Sequence, residues 1–315
     1  MAGRRLLCVG ALTHDSIYRL ATLPTTSGKF IPEDAVQTAA GMASSAATAA
    51  ARQGGAVTLW ASVGDDALGR DLIAELSAEG IDCSFIRRVA GGRSAIAAIL
   101  VDREGERIIV PHYDPKTQAE PDCLPFPDMQ RFDAVLTDVR WPGAAGLALV
   151  AAKVAGIPAI LDVDVAPRPV LERLMPLATH IVASKPAAAI WCGGEGPSEA
   201  AVRRIASEFD ALVAVTDGGA GTAWLDRTDG MVRHVPAPKV EAVDTLAAGD
   251  VFHGCFALGI AEGQAVEAAI AYASAAAALK CLRFGGRLGA PTRTETEAFL
   301  AARQGDGMAD GTAGS

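Results

Sequence analysis

The sequence predicts an α/β fold in which a mainly parallel sheet is covered by helices on both faces. Short aliphatic runs alternate along the chain with longer segments of helical pattern, and this alternation is typical of parallel strands joined by helices. The helical segments include residues 66–79, closed by Gly80, and residues 198–209. The apparent strands lie at residues 57–63, 134–137, 159–163, 180–183 and 212–216.

Size and charge narrow the class of protein. The chain has 315 residues, half of them hydrophobic, and can bury a full α/β core in one large domain with an insertion. We place this domain at residues 1–303. Residues 304–315 are rich in Gly, Asp and Ala and are predicted to be a flexible tail. A net charge of −9 argues against nucleic acid as a partner.

The cysteines and the hydropathy pattern favour a cytoplasmic location. The six cysteines are scattered without CxxC spacing, so they are interpreted as reduced packing residues. No uninterrupted apolar stretch reaches the roughly 20 residues that cross a bilayer, and the chain starts directly into a strand-like segment. We therefore expect no membrane partner and no secretion.

Two stretches interrupt the alternation of strands and helices. Residues 29–38, and the pair 94–101 and 107–113, have strand-like patterns without helices between them. The turn of the pair, residues 102–105, ends in Gly105. This pattern predicts a β-hairpin.

The segment from Asp244 to Asp250, Asp-Thr-Leu-Ala-Ala-Gly-Asp, carries the strongest chemical signal. A strand-like run ends just before it and an apolar helix starts at Asp250, so Ala247, Ala248 and Gly249 lie at the helix entrance. Free backbone N–H groups there form an anion site, and small side chains let a phosphate approach the main chain. Asp250 can then accept a proton from a substrate hydroxyl, and the helix dipole is expected to lower its pKa. The alternative is an ordinary capped helix.

This segment resembles the second signature of the ribokinase-like (PfkB) carbohydrate kinases, Asp-Thr-x-Gly/Ala-Ala-Gly-Asp. Further motifs occur in family order at residues 10–15, 40–42, 63–69 and 216–221, so the resemblance covers nearly the whole chain. It implies a three-layer α/β/α ribokinase-like fold, with ATP as phosphoryl donor and Mg²⁺ as cofactor. It also implies that the strands near 29–38 and 94–113 form a small lid that excludes water from the sugar, and often a homodimer interface. The alternative is an exposed hairpin without a gating role.

The resemblance assigns site residues position by position. Asp15 would bind sugar hydroxyls, and Gly41 would lie in the sugar-binding stretch. Gly249, with Ala247 and Ala248, would belong to the anion hole, and Asp250 would be the base. Residues 216–221 would line the nucleotide phosphates, and the expected nucleotide contacts are Thr216, Gly218, Gly221 and Thr245.

Two departures from the family pattern alter the expected site. Ser45 stands where many relatives have a sugar-binding Asn, and its shorter hydroxyl reaches less far. The Asn-x-x-Glu motif, whose Glu holds magnesium through water in relatives, is replaced by Ser-Lys-Pro-Ala at residues 184–187. Metal binding is then expected to depend on nucleotide phosphates, waters and other carboxylates, with Asp162, Asp164 and Asp217 as candidates.

These departures, together with the motifs at residues 26–29, 105–109, 138–141 and 280–287, make the chain similar to the branch that phosphorylates 6-deoxy-6-sulfofructose. A sulfonate is a permanent anion suited to the donors of arginine. Lys29 on the lid, Arg140 after a strand, and His112 are the residues expected to bind it. The alternative for Arg140 is a salt bridge to Asp138 or Asp162, and for Lys29 a solvated face of the lid.

Other interpretations of the function stay open. The chain could be a neutral-sugar kinase for fructose, ribose or a related sugar, or a sugar- or nucleotide-binding relative that has lost turnover. Residues 285–289 resemble the loop by which ribokinases bind a monovalent cation through carbonyls, together with Asp244, which would make K⁺ a second cofactor. For His253, a packing or hydrogen-bonding role is favoured over catalysis.

Overall fold

The computed structural model describes residues 3–121 and 128–309. Its strands in chain order are β1 (Arg5–Gly10), β2 (Thr13–Arg19), β3 (Asp34–Ala40), β4 (Ala56–Gly64), β5 (Arg87–Val89), β6 (Ala95–Val101), β7 (Arg107–His112), β8 (Ala134–Thr137), β9 (Ala159–Val163), β10 (His180–Ser184), β11 (Leu212–Thr216), β12 (Thr222–Asp226) and β13 (Met231–Val235). Its helices are α1 (Met42–Arg52), α2 (Ala67–Ala78), α3 (Pro142–Ala155), α4 (Arg168–Leu174), α5 (Lys185–Cys192), α6 (Ser198–Glu208), α7 (Ala248–Ala261), α8 (Val266–Cys281) and α9 (Arg293–Ala309).

The central sheet of the described chain has nine strands in the order β13-β12-β11-β10-β9-β8-β1-β4-β5. Neighbours from β11 to β5 in this order pair in parallel. At one end of the sheet, β12 pairs antiparallel with both β11 and the edge strand β13. The prediction of an α/β fold with a mainly parallel sheet is confirmed.

Both faces of this sheet are buried, as alternate residues of β1 show. Leu6 and Cys8 belong to a core cluster formed with α1, α2, α7 and α8. Leu7 and Val9 belong to a second cluster formed with α3 to α6. All four side chains are 0% exposed, so the sheet lies between two helical layers.

A second sheet has the strand order β3-β2-β6-β7. The hairpin of β6 and β7 is antiparallel, and the Asp102 carboxylate accepts the N–H groups of Glu104 and Glu106 in its turn. The prediction of a strand at residues 29–38 was wrong at its start, because β3 begins at Asp34. β2 was not predicted as a strand of this sheet, because its polar residues interrupt the apolar pattern.

The C-terminal helix α9 continues through Ala309. The predicted tail boundary at residue 304 therefore falls within a helix, and residues 310–315 lie outside the described part. None of the helices described is long and apolar enough to span a membrane.

Candidate active site

The candidate site lies where the carboxyl ends of the parallel strands meet, the usual place for a ligand in such sheets. Asp138 follows β8, Asp164 follows β9, Lys185 follows β10, and Thr216 ends β11. The chain order of these strands, β8 to β11, is also their order in the sheet. Side chains far apart in the sequence therefore converge along one edge.

The segment that precedes α7 has the geometry of an anion-binding turn. Ala247 has a φ of 61°, the only positive φ among non-glycine residues of the described chain, and such outliers concentrate at functional sites. No side chain caps the helix that follows. A Cβ built on Gly249 would meet nothing within 4 Å. Ala248 donates its main-chain N–H to the Thr245 carbonyl at 3.2 Å, whereas the space beside Gly249, in the same turn as Asp250, is open to a ligand.

The carboxylate of Asp250 lies in an acidic environment. Burial raises its pKa well above the usual range, and the charge of Asp162 raises it further, while His253 acts in the opposite direction. The prediction that the helix dipole lowers this pKa was wrong. Loss of hydration and a nearby carboxylate outweigh the dipole, and the sequence gives no sign that Asp162 approaches α7.

His253 connects this turn to the sheet. Its Nδ1 lies 2.7 Å from the carbonyl oxygen of Gly249 and 3.3 Å from Oδ2 of Asp162, and its Nε2 lies 3.3 Å from the carbonyl oxygen of Val182. Both His253 and Asp162 are almost fully buried. The hydrogen-bonding role favoured for His253 fits these contacts, which hold the start of α7 against β9 and β10.

Asp15 lies on β2, in the second sheet. It is 8% exposed and accepts a hydrogen bond from the Thr13 hydroxyl at 2.7 Å. Burial raises its pKa. A Cβ at Gly41 would come within 2.7 Å of the Ala11 carbonyl. Glycine at this position thus allows the turn after β1 to pack against the start of α1.

Arg140 lies at the same edge of the sheet, but its guanidinium group already pairs with protein oxygens. Its Nη2 donates to Oδ2 of Asp164 at 2.6 Å, and its Nη1 donates to the Val165 carbonyl at 2.8 Å. A salt bridge was one of the two expectations for Arg140, but the partners expected for it, Asp138 and Asp162, are not the one found. Oδ1 of Asp138 accepts the main-chain N–H of Arg140, and its Oδ2 accepts those of Ala11 and Ala43.

The other two predicted sulfonate ligands, Lys29 and His112, belong to the part of the chain that forms the second sheet. Lys29 is exposed, in the segment between β2 and β3 rather than on a strand. His112 pairs in register with Ile96, which is exposed, whereas Asp15 lies in register with Ala97 and its partner Pro111. Since side chains alternate between the faces of a strand, His112 faces away from Asp15. The assignment of His112 to the substrate site is corrected.

Ser45 is also not available to a sugar in this conformation. Its side chain is 1% exposed within α1, because this helix packs against β1, β4 and α7. The sequence placed it correctly after Gly41 but could not show which face of the helix it occupies. Its assignment as a sugar ligand stays a prediction.

The proposed nucleotide loop follows β11. Thr216 ends the strand, Gly218 begins a short 3₁₀ turn, and Gly221 closes it with a φ of 105°. A Cβ at Gly221 would overlap the Val235 carbonyl, so only glycine fits there. Asp217 accepts from Lys185 Nζ at 2.7 Å. Lys185 is one of the residues that stand in place of the Asn-x-x-Glu motif, and its ammonium group thus lies beside this loop.

The candidate magnesium ligands are engaged with protein groups. Asp162 contacts His253, Asp164 contacts Arg140, and Asp217 contacts Lys185. Within the described residues, no group of three or more His, Cys, Asp or Glu side chains is placed to hold a metal ion. The residues present do not fit a metal held by the protein alone.

Sequence reasoning did not assign three further residues near the site. Burial raises the pKa of Tyr113 to about 12, and the charges that act on it include Asp138, Asp15 and Asp250, so its phenol lies among them. Nη1 of Arg107 donates to the Thr245 hydroxyl at 2.6 Å. Lys280 is buried against Asp244. Alternation along β7 could have placed Tyr113 and Arg107 on one face, but no local signal points to Lys280.

Comparison with known proteins gives a consistent result. A family model described as pfkB family carbohydrate kinase matches residues 4–293. The ribokinase of Bacillus subtilis is 28% identical over 305 residues, which cover 94% of this chain and 99% of that protein. The fructokinase of Klebsiella pneumoniae is 30% identical over 255 residues, which cover 76% of this chain and 80% of that one.

Solved structures are similar over nearly the full length. The crystal structure of a candidate ribokinase from Agrobacterium tumefaciens has 48% identity and a TM-score of 0.91, covering 96% of this chain and 99% of that chain. The structure of Arabidopsis thaliana ribokinase complexed with ribose and ATP has a TM-score of 0.80 at 22% identity, covering 95% and 99%.

Proposed function

Because this chain belongs to the PfkB family of carbohydrate kinases and has the ribokinase-like fold, we propose that it transfers the γ-phosphoryl group of ATP to a terminal hydroxyl of a furanose ketose. Membership of the family makes the chain a phosphotransferase of the sugar kinase type. The observation that carries the proposal is the position of Asp250 in the first turn of α7, beside N–H groups that no side chain caps.

Each part of the site has a role in this transfer. Asp15 accepts hydrogen bonds from sugar hydroxyls, and residues 216–221 bind the nucleotide phosphates. The sugar oxygen forms a bond to the γ-phosphorus as the bond to the ADP oxygen breaks, and the hydroxyl proton passes to Asp250. The N–H groups around Gly249 stabilise the charge on the transferred group. The raised pKa of Asp250 makes it a stronger base than an ordinary aspartate.

In this proposal Mg²⁺ is held by the nucleotide and not by the protein alone. Bound to ATP, Mg²⁺ supplies positive charge at the β- and γ-phosphates. The carboxylates Asp162, Asp164 and Asp217 already contact protein groups, so we propose that the ion enters with ATP.

Sulfofructose is the substrate that we propose for this site. Arg140 brings a guanidinium group close to Tyr113, whose phenol is also within range of Asp15 and Asp250. A guanidinium offers paired donors for a sulfonate. To bind one, Arg140 must share its donors with Asp164 or exchange partners.

A neutral sugar is the second candidate, and a specific observation favours it. Asp164 already balances the charge of Arg140, so an uncharged fructose or ribose requires no rearrangement. The printed names of the relatives, ribokinase and fructokinase, agree with this alternative.

A substrate panel distinguishes the two candidates. Release of ADP is measured with sulfofructose, fructose, ribose and ribose 1-phosphate, for wild type, Arg140→Ala and Arg173→Ala. The control Arg173 forms a similar carboxylate pair, with Glu120, on the surface. A sulfofructose kinase loses tenfold or more of its kcat/KM in Arg140→Ala, because a charge-assisted hydrogen bond contributes about 1.5–3 kcal/mol. Preference for a neutral sugar, unaffected by Arg140→Ala, would reject the sulfonate site.

The lid also offers a surface for a second copy of the chain. The outer face of β6 and β7 is apolar, and Ile96, Ile108 and Val110 are 45%, 39% and 62% exposed. β7 is an edge strand with open backbone groups. We propose that two lids pack through these faces, since a copy of the same apolar surface would bury them.

A further inference from the structure

A buried cation lies beneath the catalytic turn. The side chain of Lys280, from α8, and that of Asp244 are both 0% exposed. Nζ of Lys280 donates to the carbonyl oxygen of Asp244 at 2.6 Å and lies 3.1 Å from its Oδ2. Asp244 begins the turn that leads through Gly249 into α7. The ammonium group therefore contacts both the main chain and the side chain of the first residue of this turn.

The oxygens of Asp244 are already occupied. Oδ1 accepts the N–H of Leu246 at 2.8 Å, and Oδ2 accepts those of Gly285 and Gly286 at 3.0 and 2.9 Å in addition to contacting Lys280. Burial lowers the pKa of Lys280, while the charge of Asp244 opposes that change.

In the loop at residues 285–289, which resembles a cation site, three carbonyls accept hydrogen bonds from the protein. The carbonyl oxygens of Gly285 and Arg287 accept the N–H groups of Leu288 and Ala290, respectively, and that of Leu288 accepts from Nη1 of Arg52 at 2.8 Å. The residues present therefore do not fit a bound K⁺ that requires Asp244 and these carbonyls as ligands. The expectation of a potassium site is not supported by these contacts.

We propose that the ammonium group of Lys280 acts as a built-in monovalent cation for the turn at residues 244–249, so that the protein needs no bound potassium. An isolated carboxylate at Asp244 would repel a phosphate bound at Gly249, most strongly in this low-dielectric interior. The Lys280 ammonium cancels that charge and fixes the peptide that follows Asp244. A diffusible ion could neutralise the same charge only after it had bound from solution.

The role of the anion site in this inference rests on the proposed kinase activity, so the test measures more than turnover. ATP affinity by calorimetry, the thermal midpoint Tm and sugar-dependent ADP release are compared in K⁺ and in tetramethylammonium at equal ionic strength. For wild type we expect each of the three quantities to be the same in the two buffers, with ATP affinity and kcat agreeing within about twofold. A K⁺-specific rise in ATP affinity or kcat of more than about fivefold, or a K⁺-specific rise in Tm, would overturn the inference.

The variant Lys280→Met removes the ammonium but keeps an unbranched apolar stem. In tetramethylammonium it should have a lower Tm and weaker ATP affinity than wild type, and K⁺ or NH₄⁺ should restore part of both. The control Lys153→Met changes an exposed lysine of α3 and should match wild type. A Lys280→Met protein equal to wild type in tetramethylammonium would contradict the proposed role. If this variant does not fold, the wild-type comparison decides alone.

The failure of this inference can be told apart from failure of the kinase proposal. A protein that binds no ATP in any buffer is not the proposed kinase, and the response of its Tm to K⁺ still tests Lys280. A protein that binds ATP only in K⁺ is consistent with the kinase proposal but contradicts the role of Lys280.

Discussion

Arg107 of β7 and Thr245 of the turn before α7 are joined by a hydrogen bond of 2.6 Å. The Thr245 hydroxyl in turn donates to the carbonyl of Gly105, at 3.3 Å, in the hairpin turn before β7. The β6–β7 hairpin is thus connected directly to the segment that precedes α7, 138 residues later in the chain.

We expect Arg107→Ala to lower kcat by about tenfold to a hundredfold, because misplacing the turn or the closed lid disturbs the alignment of the reacting groups. The matched control is Arg103→Ala, which removes an exposed pair with Glu33 in the same hairpin. Steady-state kinetics and Tm check the prediction. An Arg107→Ala enzyme with the kcat of Arg103→Ala would show that the bond between lid and turn is dispensable.

We expect Gly249→Ala to lower the activity of the protein without lowering its stability. The added Cβ meets nothing within 4 Å in the free protein, and alanine favours the helix, so stability should be unchanged or higher by up to about 1 kcal/mol. The methyl group would stand where the phosphoryl group approaches, so kcat should fall by about a hundredfold or more.

The control for this variant is Gly254→Ala in the same helix. Its Cβ would overlap the Ala46 carbonyl of α1, so it should lower the free energy of unfolding by about 1–3 kcal/mol. Denaturant unfolding and kinetics on both variants test the contrast. Full activity in Gly249→Ala would mean that no anion approaches this residue.

Asp162→Asn should move the acid limb of the kcat–pH profile to lower pH. Burial first, and then the negative charge of Asp162, raises the pKa of Asp250, while the nearby His253 acts the other way. Removing a negative neighbour favours ionised Asp250, so the base stays active at more acidic pH. Asp133→Asn, at a surface pair with Arg4, is the control. A limb that does not move, or moves upward, would argue against Asp250 as the titrating base.

Val110→Asp should convert a dimer into a monomer, because it places a charge in the apolar outer face of the lid. The control is Val154→Asp, which makes the same change at a valine of α3 that is 85% exposed. Analytical ultracentrifugation of the two variants and wild type gives the result. A wild-type protein that sediments as a monomer would exclude packing through the lid.

The sequence anticipated those features that local patterns encode. Aliphatic runs and helical periodicity located the parallel strands, and the small residues before Asp250 indicated an uncapped helix start. Both depend on residues close together in the chain. β2 escaped prediction because His14, Asp15 and Ser16 interrupt its apolar pattern, although the strand pairs along its length with β3 and β6.

The features that the sequence did not anticipate depend on contacts between distant segments. The face of β7 that carries His112 is fixed by register with β6. The partner of Arg140 is Asp164 because the ends of β8 and β9 are neighbours. The raised pKa of Asp250 and the burial of Lys280 against Asp244 likewise depend on tertiary packing. Periodicity carries no information about such pairs.

We propose that Asp250 and the start of α7 catalyse phosphoryl transfer from ATP to a sugar. Sugar-stimulated ADP release by wild type and Asp250→Asn, with ATP affinity measured in parallel, tests this role most directly. We expect wild type to respond to a ketose, and Asp250→Asn to bind ATP but lose about 10²–10⁴ in kcat. If no sugar stimulates ADP release, or if Asp250→Asn turns over like wild type, Asp250 does not have this role.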